Sequence, residues 1–152
     1  MVFRKLILIG ATSGALLAAA AAGVSAGSYV LKSGPIAGIT AEWVAPLNPH
    51  WAFLADVGTS SPGQAAFALR DPSFAVGLRG YVGGQVGESR PFVDTTFGFH
   101  LNNGGTSPFS AGTFGYEWRT GESWHLSAEG GVAFAGSWLP TPVAGFGIGR
   151  DF

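Results

Sequence analysis

His125, Ser127 and Glu129 stand at every second position of one segment, so an extended backbone carries imidazole, hydroxyl and carboxylate on a single face. Those groups are the parts of a base-activated nucleophile, the machinery of acyl transfer. A lone His-x-Ser is a weak signal for it, and polar residues that fill an interior explain the same triplet without chemistry, so no catalytic residue is assigned. A second constellation is acidic: Glu42, Asp56, Asp94, Glu117 and Glu129 gather with the basic Arg79 once the chain is read as strands, and Arg119 lies near a rim. Carboxylates facing one space are suited either to lining a cation path or to a hydrogen-bonded plug around a guanidinium. His50, His100 and His125 fall on separate segments, and the chain has no cysteine, so no metal-ligand spacing is present. Gly145-Phe146-Gly147-Ile148-Gly149 alternates within a strand and leads into no helix, so it is not a phosphate loop. No metal and no cofactor is expected.

The elements that must position these residues are β-strands. After Gly27 no segment has helical periodicity, and period-two alternation recurs in stretches of about ten residues cut by Gly, Pro, Asn and Ser. Strands are predicted near 35–46, 51–59, 73–83, 91–101, 109–119, 123–136 and 142–152. An eighth lies either near 27–32 or at 64–70. Apolar character alone defines one face, for example Ile39, Trp43, Phe53, Phe74, Leu78, Val93, Phe97, Phe114, Trp118, Leu126, Phe134, Phe146 and Ile148. The charges, which did not enter that choice, sort to the opposite face: Glu42, Asp56, Arg79, Asp94, Glu117, Arg119, Glu129 and Asp151. Arg150 is the exception, at the end of the chain.

Composition narrows the class. A chain of 152 residues makes one domain, and 11% charged residues against 47% hydrophobic ones is too few to solvate a soluble surface. There is no basic stretch to meet nucleic acid. Arg4 and Lys5, the apolar run from Leu6, and the small residues through Val24-Ser25-Ala26 read as a cleavable signal peptide over 1–26, with the barrel domain over 27–152. Cleavage after Ala26 leaves six Lys/Arg against nine Asp/Glu.

The charged face is otherwise small, with Gly38, Thr40, Gly77, Thr96, Gly98, Thr113, Gly115, Gly131, Gly145, Gly147 and Gly149, which suits a narrow lumen. The apolar face carries most of the large aromatics, which suits lipid. Strands of this length at a tilt of about 40° cross a ~25 Å apolar band. Trp43 and Trp51 flank the turn Leu47–His50, and Trp118 and Trp124 flank Thr120–Ser123, as an interfacial aromatic girdle would.

The final strand, Pro142 to Phe152, alternates and closes on Phe. With Phe146, Ile148 and Phe152 it resembles the assembly signal of bacterial outer-membrane proteins; Arg150 departs from the pattern, where an apolar or aromatic residue is usual. The whole of 27–152 resembles the small eight-stranded OmpA/OmpX/opacity-type barrels, a likeness of architecture that rests on pattern. It implies an all-β, up-and-down antiparallel transmembrane barrel in the outer membrane of a Gram-negative cell envelope. Its partners would be outer-membrane lipids and, during biogenesis, the barrel-assembly machinery. The resemblance further implies periplasmic turns at Leu47–His50, Gly84–Arg90 and Thr120–Ser123, and extracellular loops at Ser60–Pro72, Asn102–Pro108 and Ser137–Thr141. Those outer loops are shorter than in adhesive opacity-type proteins. The His-x-Ser with a nearby Glu is similar to the dyad of eight-stranded lipid A deacylases, but here it follows a periplasmic turn and the Glu129 spacing departs from that pattern. The expected function is a monomeric barrel with a plugged polar lumen and a structural or envelope-maintenance role. The alternatives are a narrow porin-like cation channel and, third, a lipid-modifying enzyme. The register predicts an Arg79–Asp94 contact with Glu42 or Glu117 close by, and makes Arg79 the only basic residue well inside.

Overall fold

The computed structural model describes residues 27–34, 38–59, 72–83, 88–102, 105–135 and 139–152. They form eight strands: β1 Ser28–Gly34, β2 Gly38–Asn48, β3 Trp51–Thr59, β4 Pro72–Tyr81, β5 Arg90–Asn102, β6 Gly105–Arg119, β7 Trp124–Ala135 and β8 Thr141–Asp151. Each pairs antiparallel with the next, and β8 returns to β1, so the sheet closes into a barrel without an edge. The seam runs from Ser28↔Asp151 to Ser33↔Phe146. It is extended by Phe152 N–H donating to Gly27 O (3.1 Å) and by Tyr29 stacking on the Phe152 ring at 4.9 Å.

Strand β1 identifies the eighth strand as the 27–32 alternative; 64–70 lies outside the described residues, as do 1–26 and the proposed signal peptide. Several expected loops are shorter than turn chemistry suggested. Asn102–Pro108 is largely strand: β5 continues to Asn102 and pairs with Gly105, where β6 begins. Pro108 lies opposite Phe99 in the β5 ladder, and among the described residues the β7 partners of β6 begin at Phe109. The turn at Leu47–His50 contracts to Pro49-His50, since β2 runs through a bulge near Pro46 to Asn48. The Asn48 side chain accepts the His50 and Trp51 N–H groups at 2.9 and 3.0 Å, an Asx turn. Arg90, placed by the sequence in a turn, is the first residue of β5; Pro72 and Thr141 likewise open strands.

Alternation places large apolar side chains outside, where Phe114 and Phe146 are 61% and 69% exposed, and puts the charges inside, where Glu42 and Arg79 are 2% and 1% exposed. Many inward glycines have a steric reason. A Cβ on Gly115 would run into the Phe92 ring, and one on Gly149 into the His125 ring. A barrel of eight strands has just enough room for its own side chains, so a bulky residue on one strand needs a small one beside it.

Candidate functional site in the barrel lumen

Arg79 of β4 is the centre of the interior. Its Nε and Nη2 donate to the two carboxylate oxygens of Asp94, directly across on β5, at 2.8 and 2.7 Å. This is the contact expected from the register, and its fork geometry is the strong form of such a pair. Nη2 also donates to Glu42 Oε1 at 2.9 Å, and Nη1 lies 4.0 Å from Glu117 Oε2. Beneath the guanidinium lies the Phe92 ring, 4.1 Å from its centroid.

Arg79 is not alone. Lys32, the last inward residue described on β1, is a second buried cation. Its Nζ donates to Glu42 Oε2 at 2.7 Å and to Glu129 Oε2 at 3.0 Å, and stands 3.9 Å from Asp94 Oδ2. Glu42 therefore bridges the two cations with one oxygen each. On the side of the short turns the series continues: Arg119 Nη2 meets Glu117 Oε1 at 3.0 Å, and Nη1 donates to Asp151. Acids and bases thus alternate from Glu129 through Lys32, Glu42, Arg79, Glu117 and Arg119 to Asp151. Alternation is what lets so many charges be buried in a narrow space, because each is desolvated against an opposite partner. Asp56, opposite Glu42 in the register, is the exception: its Oδ1 is sealed from solvent with no hydrogen-bond partner.

The short-turn half is also filled by apolar groups. Val30, Val44, Ala52 and Leu54 form a buried cluster against Tyr81, and Phe92 is fully buried. The Arg90 guanidinium carbon sits 3.3 Å from the Tyr81 ring centroid, and its Nη1 donates to Pro49 O at 3.1 Å, strapping the β2–β3 turn across the opening. The opposite half holds a cavity of about 120 Å³. Lys32, Glu42, Asp56, Asp94 and Glu129 line it with Thr96, Thr113, Ala111 and Ala133, and Ser73, His100 and Phe109 lie toward the loop end. His100 and Phe109 stack there at 4.3 Å.

His125 and Ser127 are both buried in the interior. Neither ring nitrogen of His125 makes a hydrogen bond; Nδ1 is 3.5 Å from Asp151 Oδ1 and Nε2 is 3.9 Å from Glu117 Oε2. Glu129 is engaged by Lys32. The three residues therefore form no nucleophile–base pair. Among the described residues no group of His, Asp and Glu has the geometry to hold a metal ion.

Trp43, Trp51, Trp118 and Trp124 all point outward near the short-turn end. Trp43 makes an edge contact with Phe53, the Trp51 ring lies over Gly80, and Trp118 and Trp124 are half exposed. Phe146, Ile148 and Phe152 are exposed along the outside of β8 and its end. The interior residues not singled out from the sequence include Lys32, Arg90 and Phe92. Lys32 carried a usable signal, since it shares parity with Ser28 and Val30 against the outward Tyr29 and Leu31.

No family model matches the chain, and no curated relative matches it significantly. Among solved structures it is similar to the crystal structure of the N-terminal β-barrel domain of Pseudomonas aeruginosa OprF. The TM-score is 0.63 at 13% identity, over 86% of this chain and 99% of that one. The likeness is one of fold.

Proposed function

We propose that the chain is an integral outer-membrane barrel, exported by the signal peptide at 1–26, with a lumen plugged at its short-turn end and a structural or envelope-maintenance role. One observation carries this reading: the barrel is inside out relative to a water-soluble one. Its outward strand positions present Leu31, Phe74, Leu78, Phe97, Phe114, Leu126, Phe146 and Ile148, all more than 40% exposed, while Lys32, Glu42, Arg79, Asp94 and Glu117 are buried. An apolar belt encircling a protein is far beyond the patches that soluble monomers tolerate, and in hydrocarbon it is the favoured surface. Closure supports the same reading, because a sheet crosses a bilayer only when no strand edge is left unpaired.

In this reading the four tryptophans form a girdle at the periplasmic interface, and the outer-membrane lipids are the permanent partner. Phe146, Ile148 and Phe152 stand on the outside of the seam strand, accessible to the assembly machinery, and the barrel acts as a monomer. The cavity favours a second reading, a narrow cation path, since carboxylates line it; conduction would require the layer of Arg79, Phe92 and Leu54 to part. A lipid-modifying activity has less support, because His125 and Ser127 face the interior without pairing.

The test is membrane fractionation combined with gel mobility. The protein belongs in the outer-membrane fraction, and unheated protein in SDS should migrate differently from boiled protein. Recovery as a soluble periplasmic species would overturn the reading. Planar-bilayer recording separates plug from channel, and mass analysis of lipid A separates both from an enzyme.

A further inference from the structure

Arg150 breaks two patterns at once: it interrupts the apolar run of the final strand, and it is the only charged residue at an outward strand position among the described residues. We infer that Arg150, flanked by Trp124 and Tyr29, is a docking site for the phosphate of an anionic phospholipid on the outside of the barrel at the short-turn end. This rests on the membrane reading above and deepens it by naming a lipid class and a place.

The register fixes the surroundings. Arg150 pairs with Trp124 of β7 on one side and Tyr29 of β1 on the other, and Tyr29 pairs in turn with Trp43 of β2. One row across four neighbouring strands therefore reads Trp, Arg, Tyr, Trp. Amphipathic rings of this kind settle at headgroup depth, the level at which a guanidinium meets phosphate rather than hydrocarbon. Arg150 is also two residues from Phe152, at the end of β8, so its side chain needs little length to reach the interface. An arginine is strongly unfavourable on the lipid face of a barrel near the midplane and close to neutral at the interface, which matches this height.

The charge is available. No carboxylate lies within ion-pair distance of Arg150 among the described residues. Its neighbour in sequence, Asp151, faces inward and is held by Arg119. Among the described residues its guanidinium lies by the Trp124 ring, 5.6 Å from the centroid. Stacking on an indole face leaves the N–H edge of the fork open, and that edge matches two oxygens of one phosphate. The outward row supplies no competing anion, so charge complementarity selects an anionic over a zwitterionic lipid.

The test uses the full barrel folded in uncharged detergent and offered equal amounts of phosphatidylglycerol and phosphatidylcholine with identical chains. Native mass spectrometry then counts the lipids retained by the wild type, Arg150→Gln and Arg150→Lys. The wild type should favour phosphatidylglycerol by about fivefold, the scale of one basic group at an anionic surface. Arg150→Gln should lose that preference and Arg150→Lys keep part of it, with the heat-dependent gel shift intact in all three. An undiminished preference in Arg150→Gln would overturn the inference. So would loss of the wild-type preference in millimolar inorganic phosphate, which would mark an ion site rather than a lipid site. A defect of Arg150→Gln confined to assembly in cells, with lipid preference unchanged, would assign the surface to the assembly machinery and also overturn it. A wild type with no gel shift and no retained lipid would instead remove the membrane reading on which the inference stands.

Discussion

The two halves of the lumen are made by the same eight strands and filled in different ways. On the short-turn side Phe92, Leu54, Tyr81, Arg79 and Arg90 project inward, with Gly115 and Gly149 leaving room for their large neighbours. On the loop side the inward positions are mostly Thr, Ser and Ala, and a cavity of about 120 Å³ remains, with no comparable layer among the described residues. Bulky inward groups need matching glycines, so closing a narrow barrel requires a co-ordinated set of residues, and one such set is enough to stop passage through the whole. The ionic series crosses the boundary between the halves: Arg79 is packed on Phe92 in the closed half, while Lys32 borders the cavity.

Substitutions in the two halves should therefore differ in effect. The largest is expected for Arg79→Ala. It strands Asp94 and Glu42, and breaking a buried pair by removing one partner costs about 3–5 kcal/mol. The midpoint of denaturant unfolding should fall accordingly. In planar bilayers a small cation-selective leak should appear where the wild type conducts little. An unchanged midpoint would mean that Arg79 is not the keystone of the closed half.

Lys32→Met comes next, at about 2 kcal/mol by the same unfolding measurement, the scale of hydrogen bonds to charged groups. It should be milder than Arg79→Ala because the carboxylates it leaves, Glu42 and Glu129, border the cavity and not the packed layer, and Glu42 keeps Arg79. Equal losses for the two cations would erase the distinction between the halves. Gly115→Val, which forces Phe92 aside, should cost about 1–3 kcal/mol through overpacking. A tolerated valine would show that the closed half is looser than its contacts imply.

The smallest effect belongs to the loop side. Phe109→Ala removes a ring stacked on His100, worth about 0.5–1.5 kcal/mol, and should widen the cavity without creating a leak. A conductance comparable to that of Arg79→Ala would place the barrier in the wrong half.

How much of this was legible in the sequence follows from the same contrast. Period-two alternation gave the strands and the sorting of charges, and from these the Arg79–Asp94 pair, because in an antiparallel sheet two residues on one face at equal height must meet. Lys32 was not assigned because β1 has only seven residues, too few to separate it by pattern from the segment at 64–70. Arg90 was assigned to a turn by the Gly, Ser and Pro around it, whereas stacking on Tyr81 holds it at the start of β5. Gly105 and Pro108 read as loop for a similar reason, and the ladder with β5 overrides that preference. Phe92 has the parity of the charged face, but its place inside depends on Gly115 beside it, a cross-strand relation that becomes visible only once the register is known. The acyl-transfer triplet shows the converse limit: parity puts His125 and Ser127 on one face, and only three-dimensional contacts show that they do not pair.

The chain contains no cysteine, so a single introduced thiol reports on one place. Ala111 lines the cavity and Ala52 lies in the closed apolar cluster, and neither substitution changes size by much. With the barrel folded in lipid vesicles, a small water-soluble thiol reagent should modify Ala111→Cys readily and leave Ala52→Cys untouched until the barrel is unfolded. Equal modification of both in the folded state would contradict a lumen that keeps its cavity on the loop side and is closed at its short turns.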